Sequence, residues 1–466
     1  MFTNESFIPF NFNMPIYNWF YPMSYSEISV DLDSIKTVFE RSSDRVSNRS
    51  LYFHIPFCQD ICSFCPFTRE VLKDEAFLDR YVDALIKEIV LKAKYRYISE
   101  KPITSIFFGG GTPSILLPKH ILRIGNAIKD NFDLSSLKEF SFEMNAKTVL
   151  PERVAAMREV GVTHGRMGVQ TFNPEYRDMF KLSATLENIY YGAELLNKTF
   201  DYVCIDMLYG MHGQTAEDII KDLRQARQLG TSHMDVYPIN NGVIQKRLKE
   251  EYDKRNFKAT SALNKYLFNV LIYDYLHSNE FVPHNGHGYY RSQSVANING
   301  FVDNGYTFQY HESVYGYAGH EIVAFGTVGY SVFNEFLVSN QADIRKYIST
   351  IESGNLPIAG IATYPRELTE IKGLVLHLPY HGYVEKNKMD YRFVDDDLNR
   401  KIEELISLGM IEDNENTLNL TRIGWQNYVN LLFYLSPQRE QNALLGYIKR
   451  ANLYSEFAYS LDFGIK

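Results

Sequence analysis

Between residues 50 and 240, short β-rich runs alternate with stretches whose apolar positions recur every three or four residues. The runs are SLYFHIPF, ITSIFFGGG, EFSFEMN, HGRMGVQTF, FDYVCIDMLYG and HMDVYPIN. Between the first two, DEAFLDRYVDALIKEIVLKA opens on Asp74 and sets Phe77, Tyr81, Leu85 and Ile89 on one helical face. TAEDIIKDLRQARQLG likewise begins at a Thr/Asp-rich start and stops at Gly230. Six βα units at a spacing of roughly 30 residues predict a parallel sheet that curls into a partial (β/α)6 barrel, an α/β fold. Chemistry in such a barrel sits at the C-terminal strand ends. That is where a cysteine-rich loop, Gly109–Gly111, Glu143, Gln170 and Asp206 fall.

After about residue 245 the repeat stops. Residues 258–279 read as one long helix, and FVPHNGHGYYRSQSVANINGF reads as a Gly/Asn/His-rich loop region. From about 355 the pattern is helical again. The segment LNRKIEELISLGMIEDNENTLNLTRIGWQNYVNLLFYL predicts helix, hairpin about Asn414–Asn416, helix, an order similar to a winged helix. Its acids, Glu403, Glu404, Glu412, Asp413 and Glu415, point to a packing or lid module and not to DNA binding. The expected division is an N-terminal arm (1–46), the barrel (47–245), a barrel extension with substrate-cavity loops (246–354) and a mostly helical, winged-helix-like domain (355–466).

Composition narrows the function classes. The 466 residues carry a formal charge of −8 with no Lys/Arg run, which argues against a nucleic-acid partner. The N-terminal stretch lacks a basic region followed by an apolar one, and nowhere do about 18 apolar residues run together, so neither export nor membrane spanning is expected. The chain has four cysteines. Without an export signal they imply a reducing, cytoplasmic setting and metal or redox work. The 34 Tyr and 31 Phe suit a ring-lined cavity for a large planar substrate, but an AT-rich genome gives the same bias, and that explanation carries more weight.

Three of the cysteines lie in YFHIPFCQDICSFCPF as Cys58, Cys62 and Cys65, spaced C-x3-C-x2-C just after the first strand. Three thiolates in a tight loop hold three corners of a cubane iron–sulfur cluster and leave one iron open to an exogenous ligand. Structural zinc wants four closed protein ligands. One 4Fe-4S cluster is therefore the expectation. Cys204, mid-strand, is expected to be a small inert thiol outside the site.

This spacing after the first barrel strand resembles the signature of radical S-adenosylmethionine (SAM) enzymes. HIPFC, FFGGGTPS, FEMN, GVQTFN and DMLYGMHGQT, in order from about Leu51 to Asn240, resemble the oxygen-independent coproporphyrinogen III oxidase family, with its methyltransferase and heme-chaperone relatives. The resemblance implies SAM on the open iron, two SAM molecules in all, and a reductant such as flavodoxin or ferredoxin. By the same resemblance Phe64 lies against adenine, and Gly109, Gly110 and Gly111 admit the methionyl part. Glu143, Gln170, Asp206 and Asn240 line the cofactor, and Tyr52, Gly111, Thr112 and Leu208 border the second SAM.

Two positions depart from the oxidase pattern. Phe67 stands where a further cysteine is expected, and Leu182 stands where an arginine contacts SAM carboxylate. Lys181 beside it offers only a point charge. These departures favour a class C methyltransferase reading, in which a SAM-derived carbon passes to an sp2 centre of a large aromatic or tetrapyrrole substrate. The alternatives are the oxidative decarboxylation of coproporphyrinogen III and a heme-binding chaperone with an HN-x-x-Y-type element. HESVYGY resembles that element, with Glu312 after His311 where Asn is expected. Tyr52, His284, His287 and His311 are the candidates for substrate binding or proton transfer.

Overall fold

The computed structural model describes residues 9–17, 19, 21–292 and 308–459. All six predicted strand runs form strands: β1 (Asn48–Ile55), β2 (Ser105–Gly110), β3 (Glu139–Asn145), β4 (His164–Gln170), β5 (Tyr202–Tyr209) and β6 (His233–Pro238). They pair in parallel in that order. One alternating set, including Leu51, Phe53, Ile106, Phe108, Phe142, Met167, Ile205 and Met234, is buried in the main apolar core. The opposite set (Ser50, Tyr52, Ser105, Glu139, Glu143, Arg166, Cys204, Asp206, Asp235) carries most of the chemistry. Parallel strands covered on both faces normally read as continuous apolar runs, so polar residues on one face mark an interior built for something other than packing.

The connecting helices start where their capping residues place them. Asp74 caps Glu75–Ala93 by accepting from the Phe77 amide, and Thr215 and Asp218 form a reciprocal cap on Ala216–Gln228. The predicted face of the first helix is correct at Tyr81, Leu85 and Ile89, whereas Phe77 is only partly buried.

Beyond the barrel the sheet grows to thirteen strands among the described residues. On the β1 side His320–Phe325 adds in parallel, followed by antiparallel Tyr330–Val332, Phe336–Asn340, Ile358–Thr363 and Ser26–Ile28. The sheet thus runs past the expected boundary at 354, and the arm supplies its last strand. On the β6 side the expected loop region is a hairpin, Phe281–Asn285 with Gly288–Arg291, paired to β6 through Gly288 and Asp235. The open edge of β6 gives these backbone groups partners, which overrides their turn-like composition. The rest of that expected loop, from residue 293, lies outside the described residues.

The helix–hairpin–helix forms as Asp396–Ser407, Ile411–Asp413 with Thr417–Leu420, then Arg422–Gln426 and Tyr428–Leu435. Tyr383–Glu385 completes its small sheet. Phe10, Phe12, Met14 and Ile16 of the arm bury into this second core beside Leu431 and Phe433. Among the described residues no helix is long and apolar enough to cross a membrane.

Buried ion pairs lock the outer parallel strand to the barrel. Arg49 on β1 lies opposite Glu321 and pairs with it at 2.7 Å, both side chains being fully buried. The Tyr97 hydroxyl donates to the same carboxylate at 2.6 Å. Removing one partner strands a buried charge, so Glu321→Leu should cost about 3–5 kcal/mol. Arg49→Met in the same chain should recover most of that loss, as measured by chemical denaturation.

Candidate cofactor and substrate site

The cysteine loop hangs from the end of β1 and is closed by a short parallel ribbon, Phe57–Cys58 with Glu70–Val71. The Glu70 amide donates to the Pro56 carbonyl at 2.7 Å and the Leu72 amide to that of Cys58 at 2.9 Å. Ser63 donates through its amide to Phe180 O at 3.0 Å and through its hydroxyl to Met179 O at 2.6 Å. Gln245 donates to the Cys62 and Ser63 carbonyls, each at 3.0 Å. The loop backbone is thus committed to the scaffold, while the thiols make only weak contacts, among them the Thr112 hydroxyl to Cys58 Sγ at 3.4 Å and the Phe67 amide to Cys65.

Burial raises all three thiol pKa values, and Cys62 is pushed up to about 12 by burial with the added charge of Cys65 and Cys58. Three thiolates together therefore need a cation. Among the described residues, the groups whose ligand atoms close to within 4.8 Å, as one ion requires, are Glu312–His377–His381 and Cys204–Asp206–Asp235. The cysteine triad is not one of these groups, which fits a multi-iron cluster better than lone zinc. The donor set fits a 4Fe-4S cluster carried by Cys58, Cys62 and Cys65.

Beside the loop, Gly111 and Thr112 donate their amides to Ile55 O and Phe57 O at 2.8 Å. A side chain at Gly109 would meet Phe107, Tyr52 and Glu143. Gly110 differs. Its φ is +115°, and a Cβ there would run into the His54 ring at 2.7 Å, so the protein's own packing already calls for glycine here. Tyr52 donates its hydroxyl to His54 Nδ1 at 3.1 Å, and His54 Nε2 donates to Thr68 O, near the end of the cysteine loop, at 3.3 Å. Burial holds His54 down to about 4, so it stays neutral in this relay.

Glu143 and Asp206 share the barrel mouth. Burial, then the charge of Asp206, pushes Glu143 up to about 7. Burial raises Asp206 to about 7 despite Arg166 beside it. Phe64, Leu182 and Leu208 join one apolar cluster with Phe180, and the Phe64 and Phe180 rings are 5.1 Å apart. Gln170 sits at φ +72° with its amide folded over Gly168. The Asn240 side chain accepts from the Gly242 amide at 3.1 Å. Lys181 does not join them. It ends its helix at φ +57°, half exposed, and faces Asp178 at 3.4 Å.

Deeper in, the three candidate histidines converge. His287 Nε2 and His311 Nδ1 lie 3.3 and 3.5 Å from the Tyr380 hydroxyl. Asn285 Nδ2 lies 3.2 Å from His284 Nδ1 and 3.4 Å from His311 Nδ1. Burial pulls His284 down to about 3 and His287 to about 4, so these rings are neutral. Tyr17 of the arm packs against Tyr237 and His287.

Several residues of this chamber escaped the sequence reading. Arg166 ion-pairs with Asp235 and lies 3.5 Å from Asp206, while its Nε and Nη1 have no partner. Tyr237 donates to Asp235 at 2.9 Å. Tyr310 stacks on Phe107 and Tyr52. A charged residue at an inward position of a parallel strand was the available signal for Arg166. Cys204 is buried and its pKa is raised by that burial, as expected of an inert thiol, but it belongs to the chamber wall beside Asp235.

A folded-state pKa near 7 for Asp206, above the unfolded value of about 3.9, sets a sign. Its stabilising contribution is complete below pH about 4 and is lost as pH climbs through about 7. Wild-type protein should therefore lose stability over this window relative to Asp206→Asn, by a few kcal/mol at most. Thermal unfolding at stepped pH measures the difference.

The radical SAM superfamily pattern matches residues 52–226, which span the cysteine loop and five of the six barrel strands. The chain is 31% identical to the heme chaperone HemW of Lactococcus lactis over 41% of this chain and 48% of that one. It is 33% identical to the anaerobilin synthase of Escherichia coli O157:H7 (41% and 43%) and 31% to the oxygen-independent coproporphyrinogen III oxidase of Escherichia coli K12 (40% and 41%). The chain thus spans under half the length of these curated relatives. The solved coproporphyrinogen III oxidase (HemN) of Escherichia coli shares the fold over 90% of this chain and 96% of that one, with a TM-score of 0.73 at 20% identity. With the three-cysteine loop at the end of β1 and these matches over the barrel, residues 52–226 form a radical SAM domain, similar to those of the coproporphyrinogen III oxidase-like proteins.

Proposed function

We propose that this protein is a radical SAM enzyme that acts on a tetrapyrrole, by oxidative decarboxylation of the coproporphyrinogen III oxidase type. The observation that carries this reading is the placing of the three-thiol loop over a barrel whose interior is polar, with Arg166 and three neutral histidines around Asn285 and Tyr380. The expectation of methyl transfer gives way to its alternative, because an oxygen-independent coproporphyrinogen III oxidase is among the relatives named above and Leu182 packs in the apolar cluster with Phe64 and Leu208.

In this reading Cys58, Cys62 and Cys65 hold the cluster, and Gly109, Glu143, Gln170 and Asp206 line the SAM that it binds. When bound, the pair supplies one-electron reduction and a hydrogen-abstracting radical. Glu143, ionised on meeting a cation, accepts from the amino group of SAM. Arg166 uses its free Nε and Nη1 to draw a substrate carboxylate inward, while Asp235 keeps the guanidinium from being an unbalanced buried charge. The neutral rings of His284, His287 and His311 offer hydrogen bonds to pyrrole N–H groups, and Tyr52 orders the mouth through His54.

Anaerobically reconstituted protein given coproporphyrinogen III and methyl-deuterated SAM should release carbon dioxide and 5′-deoxyadenosine and leave the tetrapyrrole unlabelled. Label in the product, with S-adenosylhomocysteine, would establish methyl transfer instead. Tight heme binding with neither product would establish a chaperone. Alanine at Cys58, Cys62 or Cys65 should abolish cluster absorption and SAM cleavage, whereas Cys204→Ala should keep the cluster. Arg166→Met should raise KM for a carboxylated tetrapyrrole about tenfold or more, the loss expected for one charge-assisted hydrogen bond, with uncoupled SAM cleavage retained.

A further inference from the structure

Behind the chamber wall lies a second group of ligand-type side chains with no part in the proposed reaction. Glu312 comes from the helix Gln309–Val314, and His377 and His381 stand one turn apart where Gly373–His377 runs into Leu378–His381. All three are nine-tenths buried or more, and their ligand atoms lie within 4.8 Å of one another. The spacing H-x3-H puts both rings on one helical face.

The hydrogen bonds leave an unsolved contact. His377 Nδ1 lies 2.7 Å from the Tyr383 carbonyl, which can only accept, so Nδ1 carries the proton and Nε2 a lone pair. That lone pair faces both Glu312 oxygens, at 3.1 and 3.2 Å. Two acceptors therefore meet in a dry site. An extra proton on His377 would settle this one contact. It would leave His381, its ring 4.5 Å from that of His377, with only a contact to the His311 backbone and no partner for its other nitrogen. One cation would satisfy all three side chains. Ligands about 2.0–2.1 Å from zinc in a tetrahedron lie about 3.3 Å apart, close to the 3.1 and 3.2 Å between His377 and Glu312, with the His381 ligand atom within 4.8 Å of both. A backbone carbonyl on the far nitrogen is the usual support of a metal-bound histidine, and His320 Nδ1 lies 2.7 Å from the Glu312 carbonyl, anchoring the third ligand from behind.

We propose that Glu312, His377 and His381 form a binding site for a divalent transition-metal ion of the zinc type. The ion ties the helix at the barrel wall to the C-terminal domain. His311 directly precedes Glu312, and Tyr380 directly precedes His381, so the ion also fixes two groups that line the chamber. The site stands independently of the reaction proposed above.

The cysteine loop would itself take up zinc, so the test uses the full chain with Cys58→Ser, Cys62→Ser and Cys65→Ser. After equilibration with Zn2+ and removal of loose metal, elemental analysis should find about one equivalent. His381→Gln or Glu312→Gln added to this chain should weaken binding at least tenfold, with circular dichroism reporting that the fold is kept. Co2+ in the same triple-serine chain gives a second readout, in which ligand-field bands should appear and should vanish with His377→Gln. Zinc content near zero, or content unchanged by both His381→Gln and Glu312→Gln, would overturn the proposal. So would a Glu312→Gln protein that loses thermal stability equally with and without Zn2+, which would make the group a buried ion pair only.

Discussion

The interior of the barrel depends on one buried guanidinium. Arg166 stands on β4 with Asp235 against it, Asp206 nearby and the Phe308 ring 4.4 Å from its centre. A charge so placed is tolerable only with its counter-charge in contact, so the two strands that carry the pair, β4 and β6, are fixed relative to each other through β5. Everything else in the chamber answers to this arrangement. Desolvation keeps the histidines neutral and holds two mouth carboxyls near 7, so the cavity offers both donors and acceptors close to neutral pH.

At the mouth the requirement is the reverse. The cysteine loop has to hold its sulfur atoms apart without using them to hold itself. Its backbone is therefore tied down by a short ribbon, by the Phe180 and Met179 carbonyls and by Gln245. Three thiols that resist ionisation alone become good ligands once a cation supplies the missing charge, which links folding of the loop to cofactor uptake.

The rest of the chain closes this barrel sideways and behind. Strand His320–Phe325 extends it beyond β1, and the hairpin at 281–291 extends it beyond β6, bringing His284, Asn285 and His287 to the chamber. The C-terminal domain adds Tyr380, and the arm adds Tyr17 while burying its own aromatic residues in that domain. The chamber is thus shared by segments that are far apart in sequence. That is why truncating either end would be felt at the site and not only in stability.

The features legible in the sequence were local ones. Strand runs with alternating apolar residues, caps such as Asp74 and Thr215, and three cysteines within one loop each announce themselves over a few residues, because propensity, capping and ligand spacing act at short range. Glu143 and Asp206 could be placed at the mouth for the same reason, since a strand end is a local property. The hairpin could not be read, because its Gly and Asn residues look like a turn until the free edge of β6 supplies partners. Nor could Lys181 be judged, since only its helix-ending φ and surface ion pair show that it turns away. Arg166 with Asp235, and Glu312 with His377 and His381, join residues 65 or more positions apart. By itself the sequence determined the barrel and the cysteine loop. Which buried charges meet was decided only by the tertiary structure, because the electrostatic energy of a pair depends on its distance in space and its removal from water, and separation along the chain encodes neither.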